Sequence, residues 1–303
     1  MRRRRSPETP PRPDRRLQEQ LDDLAVLAGQ AVARSNAGRE LADLRDAEFK
    51  VFSQFGDDGI VDALVTRLGL PPEAERFVEI GVEDYREATT RFLLVHRNWR
   101  GLIVDRSEAH VQRLRDSSLL WRHDVRPVTA AVEPENVNDL LREHGFDREL
   151  GLLCIDVDGS DYWIWEALEA QPALVVVEYN SVFGPSRAVT IPYEPGFDRT
   201  RAHHSNLYFG ASLRALVLLG ERKGYRLVGS NSAGNNAYFV RHDHAGGLPA
   251  ATVDEAYVES RFRESRDEHG NLTYLSGADR LRAIADLQVW DVEREELVPL
   301  REL

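Results

Sequence analysis

The sequence predicts an α/β protein built on a seven-stranded, mostly parallel sheet, with helices on both faces and an antiparallel hairpin at its end. Three observations carry this. Short apolar runs alternate with helical stretches between residues 76 and 178. Four of the five runs are almost continuously apolar, as strands buried on both faces must be. An apolar helix and two strands joined by a short polar turn follow, and so short a connection forces that last pair antiparallel.

The elements follow in order. Leu17, Leu21, Leu24, Ala28 and Ala31 recur at intervals of four and three, which predicts a helix within an N-terminal segment, residues 15–50. Its apolar seam suits packing on its own domain or a homodimer. The main domain is expected over residues 51–243. Its strands are Arg76 to Ile80, Gly101 to Val104, Val125 to Val132, Leu152 to Ile155 and Leu174 to Val177. Helices are expected at Thr89 to Arg97, Glu108 to Asp116, Glu135 to His144 and Asp161 to Glu169, the last ended by Pro172. Ser181 to Asn206 shows no clear element, and a connection of that length in a compact domain reads as a lid or substrate wall. Ala211 to Lys223 is a helix, and Tyr225 to Val228 and Ala237 to Arg241 form the hairpin. Residues 244–303 read as a charged appendage.

Composition narrows the partners. The chain has 303 residues, 42% of them hydrophobic, enough for a large core. No uncharged apolar run reaches the length of a membrane span, so no membrane partner is expected. Cys154 is the single cysteine, which excludes an intrachain disulfide and makes a cytoplasmic location the expectation. The net charge is −12, and the first 16 residues carry seven arginines against Glu8 and Asp14, so the body is more acidic still. An acidic body disfavours nucleic acid. Residues 1–14, with four prolines and no apolar anchor, read as a disordered basic tail.

Chemistry is expected at the carboxyl edge of the sheet, where open parallel sheets bind ligands. Four strands end in acids: Glu79, Asp105, Asp156 and Glu178. Gly81 after the first strand permits a tight turn and a close ligand approach. Asp105 can accept both hydroxyls of a ribose. Glu83 occupies the second glycine position of a dinucleotide-binding loop, and Glu83 with Asp84 would repel phosphates. A nucleoside cation such as S-adenosylmethionine fits this acidic rim better than a dinucleotide, with Asp156 available to its amine. Asp156, Asp158, Glu178 and Asn180 together offer the oxygen ligands of a divalent cation such as Mg²⁺. The same Asp-Val-Asp-Gly-Ser-Asp segment could instead cap the next helix through Ser160 or Asp161, or bind substrate. Asp158 and Glu178 are candidate catalytic groups, and His204 of the His203-His204 pair is a candidate base.

Asp156, Asp158, Gly159, Asp161, Tyr162, Trp165, Glu166 and Ala167 form a D-x-D-G-x-D-Y-x-x-W-E-A segment. With Ser53-Gln54, Asp58-Gly59, Phe77 to Gly81, Val177 to Asn180, Pro192-Tyr193 and Gly210 to Leu213, it resembles the bacterial FkbM-type methyltransferases over roughly residues 50–240. The resemblance implies a Rossmann-like methyltransferase sheet and S-adenosylmethionine. It also implies O-methylation of a sugar or natural-product hydroxyl, a small-molecule acceptor, and cofactor roles for Glu79, Gly81 and Asp105. The chain departs from the pattern at Glu83 and at Thr89, where asparagine is expected. Alternative readings are a methyltransferase-fold binding scaffold, a D-x-D metal-dependent phosphatase and a D-x-D glycosyltransferase. A chain beginning at Arg15 should melt at the full-length temperature by circular dichroism; a lower melting temperature would show that the arginine run docks on the body.

Overall fold

The computed structural model describes residues 15–303, so the predicted basic tail lies outside the described residues. Helices α1 (Arg15–Ala37) and α2 (Asp57–Leu68) come first. Strands and helices then alternate: β1 (Arg76–Ile80), α3 (Arg91–Arg97), β2 (Arg100–Asp105), α4 (Glu108–Arg115), α5 (Leu119–Arg122), β3 (Val125–Thr129), α6 (Val137–His144), β4 (Leu152–Ile155), α7 (Asp161–Ala167) and β5 (Leu174–Glu178). The long connection holds β6 (Val189–Thr190) and α8 (Arg199–Ala202). It leads to α9 (Leu213–Lys223), β7 (Tyr225–Ser230) and β8 (Asn236–Arg241). The C-terminal stretch adds α10 (Val253–Ala256), α11 (Ala278–Arg282), β9 (Gln288–Asp291) and β10 (Glu296–Pro299). Serine caps start the two helices that need sharp entries: Ser107 accepts from His110 N before α4, and Ser212 from Ala215 N before α9.

Seven strands form one sheet in the order β3-β2-β1-β4-β5-β8-β7. β1 to β5 are parallel, and only β8 runs against its neighbours. Alternation along the strands splits the core in two. Val78, Leu102, Leu153 and Val175 face α7 and α9 on one side. Phe77, Ile103, Cys154 and Val176 face α2 and α3 on the other. On the first side Trp165 is fully buried, its ring 4.9 Å from Phe239 and 5.9 Å from Tyr225.

Two expectations are corrected, the lack of any element in the long connection and the end of the third strand. The stretch from Ser181 to Asn206 contains β6, which pairs with β9 to make a second, antiparallel sheet in the order β10-β9-β6. Val182, Phe183, Val189 and Leu207 share a small core with Ile284, Val289 and Leu300, so residues expected as an appendage pack against the long connection. Strand β3 also stops at Thr129 rather than Val132. The α1 seam has Leu17, Leu21, Leu24, Ala28 and Ala31 exposed, whereas Gly29, Ala33 and Asn36 on another face are buried. Among the described residues no helix is long and apolar enough to cross a membrane.

Trp165→Ala should lower the unfolding free energy by about 3–5 kcal/mol in urea titrations, because a fully buried ring leaves a cavity. Trp165→Phe should cost less. The indole Nε1 has no hydrogen-bond partner, so losing it releases an unsatisfied polar group.

Candidate functional site

All four strand-end acids fall on one face of the sheet. Glu79 follows Phe77 by two residues, Asp105 follows Ile103, Asp156 follows Cys154, and Glu178 follows Val176, all on the α2 side. Their levels differ. Glu79 pairs with Ile103 and Cys154, and Cys154 pairs with Val176. Glu79 therefore lies one pleat below the other three, inside the core, and Gly81 shares their level.

That step decides what each acid does. Glu79 is 6% exposed. Its Oε1 accepts from Thr89 N at 2.8 Å, and its Oε2 accepts from Thr90 N at 3.1 Å and from the Thr90 hydroxyl. It anchors the loop after β1. Asp105 Oδ2 accepts from Glu83 N and Oδ1 from Ser107 N, both at 2.8 Å, with His110 Nδ1 at 3.3 Å from Oδ1. Gly81 has φ +85, and a Cβ there would lie 1.6 Å from the Asp156 carbonyl oxygen. The glycine is required by the crossing of the β1 and β4 loops, before any ligand arrives. Glu83 and Tyr85 adopt φ +46 and +59. The loop thus takes a glycine-like backbone at Glu83 without the glycine.

Asp156, Asp158 and Glu178 converge, each offering an oxygen within 4.8 Å of those of the others. Glu178 is 8% exposed, and its Oε2 is buried with no hydrogen-bond partner. Burial, then the charges of Asp156 and Asp158, push the Glu178 carboxyl well above the usual range. Asp156 is open to the cleft but deep among protein atoms. Loss of bulk water is the first cause of its raised pKa, with Asp158 next. One cation answers this crowding. Arg199 Nη1 lies 2.7 Å from Asp158 Oδ1, its Nε donates to Asn206 O at 2.8 Å, and its guanidinium covers the Phe209 ring at 4.0 Å. Sequence reasoning missed Arg199, since nothing marks it out among so many arginines.

Two expected groups are placed elsewhere. Asn180 donates both amide hydrogens, to Leu207 O at 2.9 Å and Phe209 O at 3.0 Å, and its Oδ1 accepts from Val182 N. Those bonds hold the loop. His204 is exposed, its ring centroid 4.1 Å from that of His203, with Asp267 as a charged neighbour.

The Asp57-Asp58 pair is structural. Asp58 Oδ2 accepts from the backbone of Val51, Phe52 and Ser53 and from the Ser53 hydroxyl, and Asp57 Oδ1 accepts from Asn231, Asn236 and Tyr238. Together they tie the start of α2 to the β7–β8 turn. Asp161 caps its own turn through Val157 N and Gly159 N.

No family model matches the sequence, and no curated protein does. Solved structures are similar at low identity. Cofactor-bound Rv0187 from MTB is 17% identical, covers 78% of this chain and 99% of its own, with TM-score 0.38. The N-terminal domain of EvdMO1 with SAH bound is 11% identical over 74% of this chain and 94% of its own, TM-score 0.36. An S-adenosylmethionine-dependent methyltransferase from Clostridium acetobutylicum is 9% identical over 61% and 90%, TM-score 0.39.

The buried acids set a pH dependence. Burial raises Glu79, Asp58 and Asp161 to about 6 each, above the 4.5, 3.8 and 3.8 of the free groups. Between the two values the folded state binds more protons than the unfolded state, so stability increases as pH falls. Unfolding free energy from urea titrations should rise by about 1–3 kcal/mol from pH 7.5 to pH 5. Glu79→Gln should reduce that slope; an unchanged slope would mean Glu79 ionises normally.

Proposed function

We propose that the chain is an S-adenosylmethionine-dependent methyltransferase of the FkbM type that methylates a hydroxyl of a small-molecule sugar or natural product. The observation that carries the reading is the alignment of Asp105, Asp156 and Glu178 at one level on one sheet face, with Glu178 Oε2 buried and unpartnered. The donor set fits a cationic nucleoside. Asp156 and Asp158 would hold its amine, and Asp105 would accept ribose hydroxyls on lone pairs that Glu83 N and Ser107 N leave free. Bound there, the cofactor supplies an electrophilic methyl group and a sulfur that takes the electron pair of the breaking bond.

The chain supplies position and a proton acceptor. Glu178, which burial and its acidic neighbours keep protonated in the free protein, would ionise when the positive cofactor binds beside Asp156 and then take the acceptor's hydroxyl proton as the oxygen attacks. Arg199 holds Asp158 and keeps the cluster from accumulating uncompensated charge. The carboxylates of Asp156, Asp158 and Glu178 also fit a hard divalent cation, which would polarise the acceptor oxygen.

Calorimetry with S-adenosylhomocysteine should give a saturable isotherm. Asp105→Ala should weaken it by about 10- to 150-fold, the loss of hydrogen bonds to a charged group. Glu178→Gln should retain cofactor binding and lose turnover. Turnover surviving EDTA but lost in Glu178→Gln assigns proton removal to the chain alone; loss in EDTA with binding intact assigns part of it to a cation. No isotherm, with phosphate released from a general ester, would favour the phosphatase reading. No isotherm and no turnover would favour the scaffold.

A further inference from the structure

A cavity opens just past the end of β5, with Ser181 in its wall. It encloses about 220 Å³ between the turn after β5, the segment around Tyr257 and the start of α11, and Ser181, Arg187, Tyr257, Glu259 and Arg280 are among its lining residues. Its volume is several times the ~30 Å³ share of a water molecule. Arg280 is only 5% exposed. Its Nη1 donates to Ser260 Oγ at 2.7 Å, while its Nε is buried with no partner. Arg187 resembles it: Nη1 reaches Phe183 O at 3.2 Å, and Nε is again buried and unpartnered. Among the described residues neither arginine has a carboxylate within ion-pair distance. Glu259, the acid in the lining, is exposed and accepts from Gly277 N at 3.1 Å.

A guanidinium taken out of water without a carboxylate in ion-pair contact is costly; Arg280 is in that position, with the half-buried Arg187 beside it. The planar fork of each matches a carboxylate or phosphate. We propose that this cavity is an oxyanion-binding pocket, with Arg280 and Arg187 as the ligand-holding side chains, and that it receives the acidic group of the acceptor. Burial lowers the Arg280 pKa, and the nearby Glu259 carboxylate offsets only part of that shift. Ser181 in its wall follows Asn180 directly and lies three residues from Glu178. An acceptor anchored here by a phosphate or carboxylate would extend its hydroxyl toward Glu178. Anion binding stands on the cavity alone; its assignment to the acceptor rests on the methyl-transfer reading.

The test uses the full chain, with inorganic phosphate and malonate as probes against sodium chloride at matched ionic strength. Either oxyanion should bind saturably by calorimetry and raise the melting temperature, and Arg187→Ala should weaken that binding at least about tenfold. Arg280→Leu should abolish it, yet melt no lower than wild type without anion, because it removes an unpaired buried charge; a purely structural arginine would lower the melting temperature. Preference for phosphate or for malonate identifies phosphorylated or carboxylated acceptors. The pocket is overturned if neither probe exceeds the effect of chloride, or if both variants bind as wild type does. Phosphate binding without S-adenosylhomocysteine binding would retain the pocket and remove the methyl-transfer reading; the opposite result would remove the pocket alone.

Discussion

Like charges crowded at one level of a parallel sheet are the constraint on which the site depends. Strand alternation puts Asp105, Asp156 and Glu178 on the same face, and parallel register puts them at the same height. Neighbouring strands are only about 5 Å apart, so the central acids cannot all ionise unaided. The fold answers each acid separately. Asp105 accepts hydrogen bonds from the backbone N–H groups of the loops it orders. Asp158, just beyond Asp156, receives the guanidinium of Arg199 from the long connection. Asp156 and Glu178 are left with raised pKa values, which means they hold protons, or a cation, when other carboxyls do not. The long connection is thus required electrostatically as well as sterically.

The same logic explains the loop after β1. Its backbone passes so close to the Asp156 carbonyl that position 81 admits only glycine. Glu79 beneath it binds Thr89 and Thr90, and Tyr85 donates to or accepts from the Thr90 hydroxyl at 2.8 Å. The left-handed backbone at Glu83 and Tyr85 costs roughly 1–2 kcal/mol at each residue. These bonds, with the Asp105 bond to Glu83 N, hold it in place. The absence of a second glycine therefore changes the cost of the loop and not its shape.

How much was legible follows from the range of each interaction. The parallel strands could be read because burial on both faces leaves continuous apolar runs. The acids could be read because they end those runs. Helix α2 was not read: Ile60, Val61, Ala63, Leu64 and Val65 are all buried, so no polar face marks a period. Strand β6 has two residues and pairs with a strand about a hundred residues later, too short and too distant to leave a pattern. Arg199 and Arg280 were invisible for a related reason. Their roles come from partners far along the chain, and an arginine carries no local signature of being desolvated. The commitment of the Asn180 amide to two carbonyls of a loop nearly thirty residues on was equally invisible.

A fold of this kind hosts many chemistries, so the assignment of roles must come from the groups themselves. Asp158 is poorly suited to removing a proton, since Arg199 already holds its carboxylate. Asp156 is better placed to meet a positive charge, being exposed and, among the described residues, without a cation in ion-pair contact. Glu178 differs from both. It is enclosed, its Oε2 has no partner, and the neighbouring acids oppose its ionisation. A carboxylate in that condition gains more from taking a proton than a solvated one does, which is the property a general base needs. Under the proposed methyl transfer, the same crowding would make a cationic cofactor the partner that lets Glu178 ionise: positive charge bound near Asp156 would relieve the repulsion and ready the proposed base.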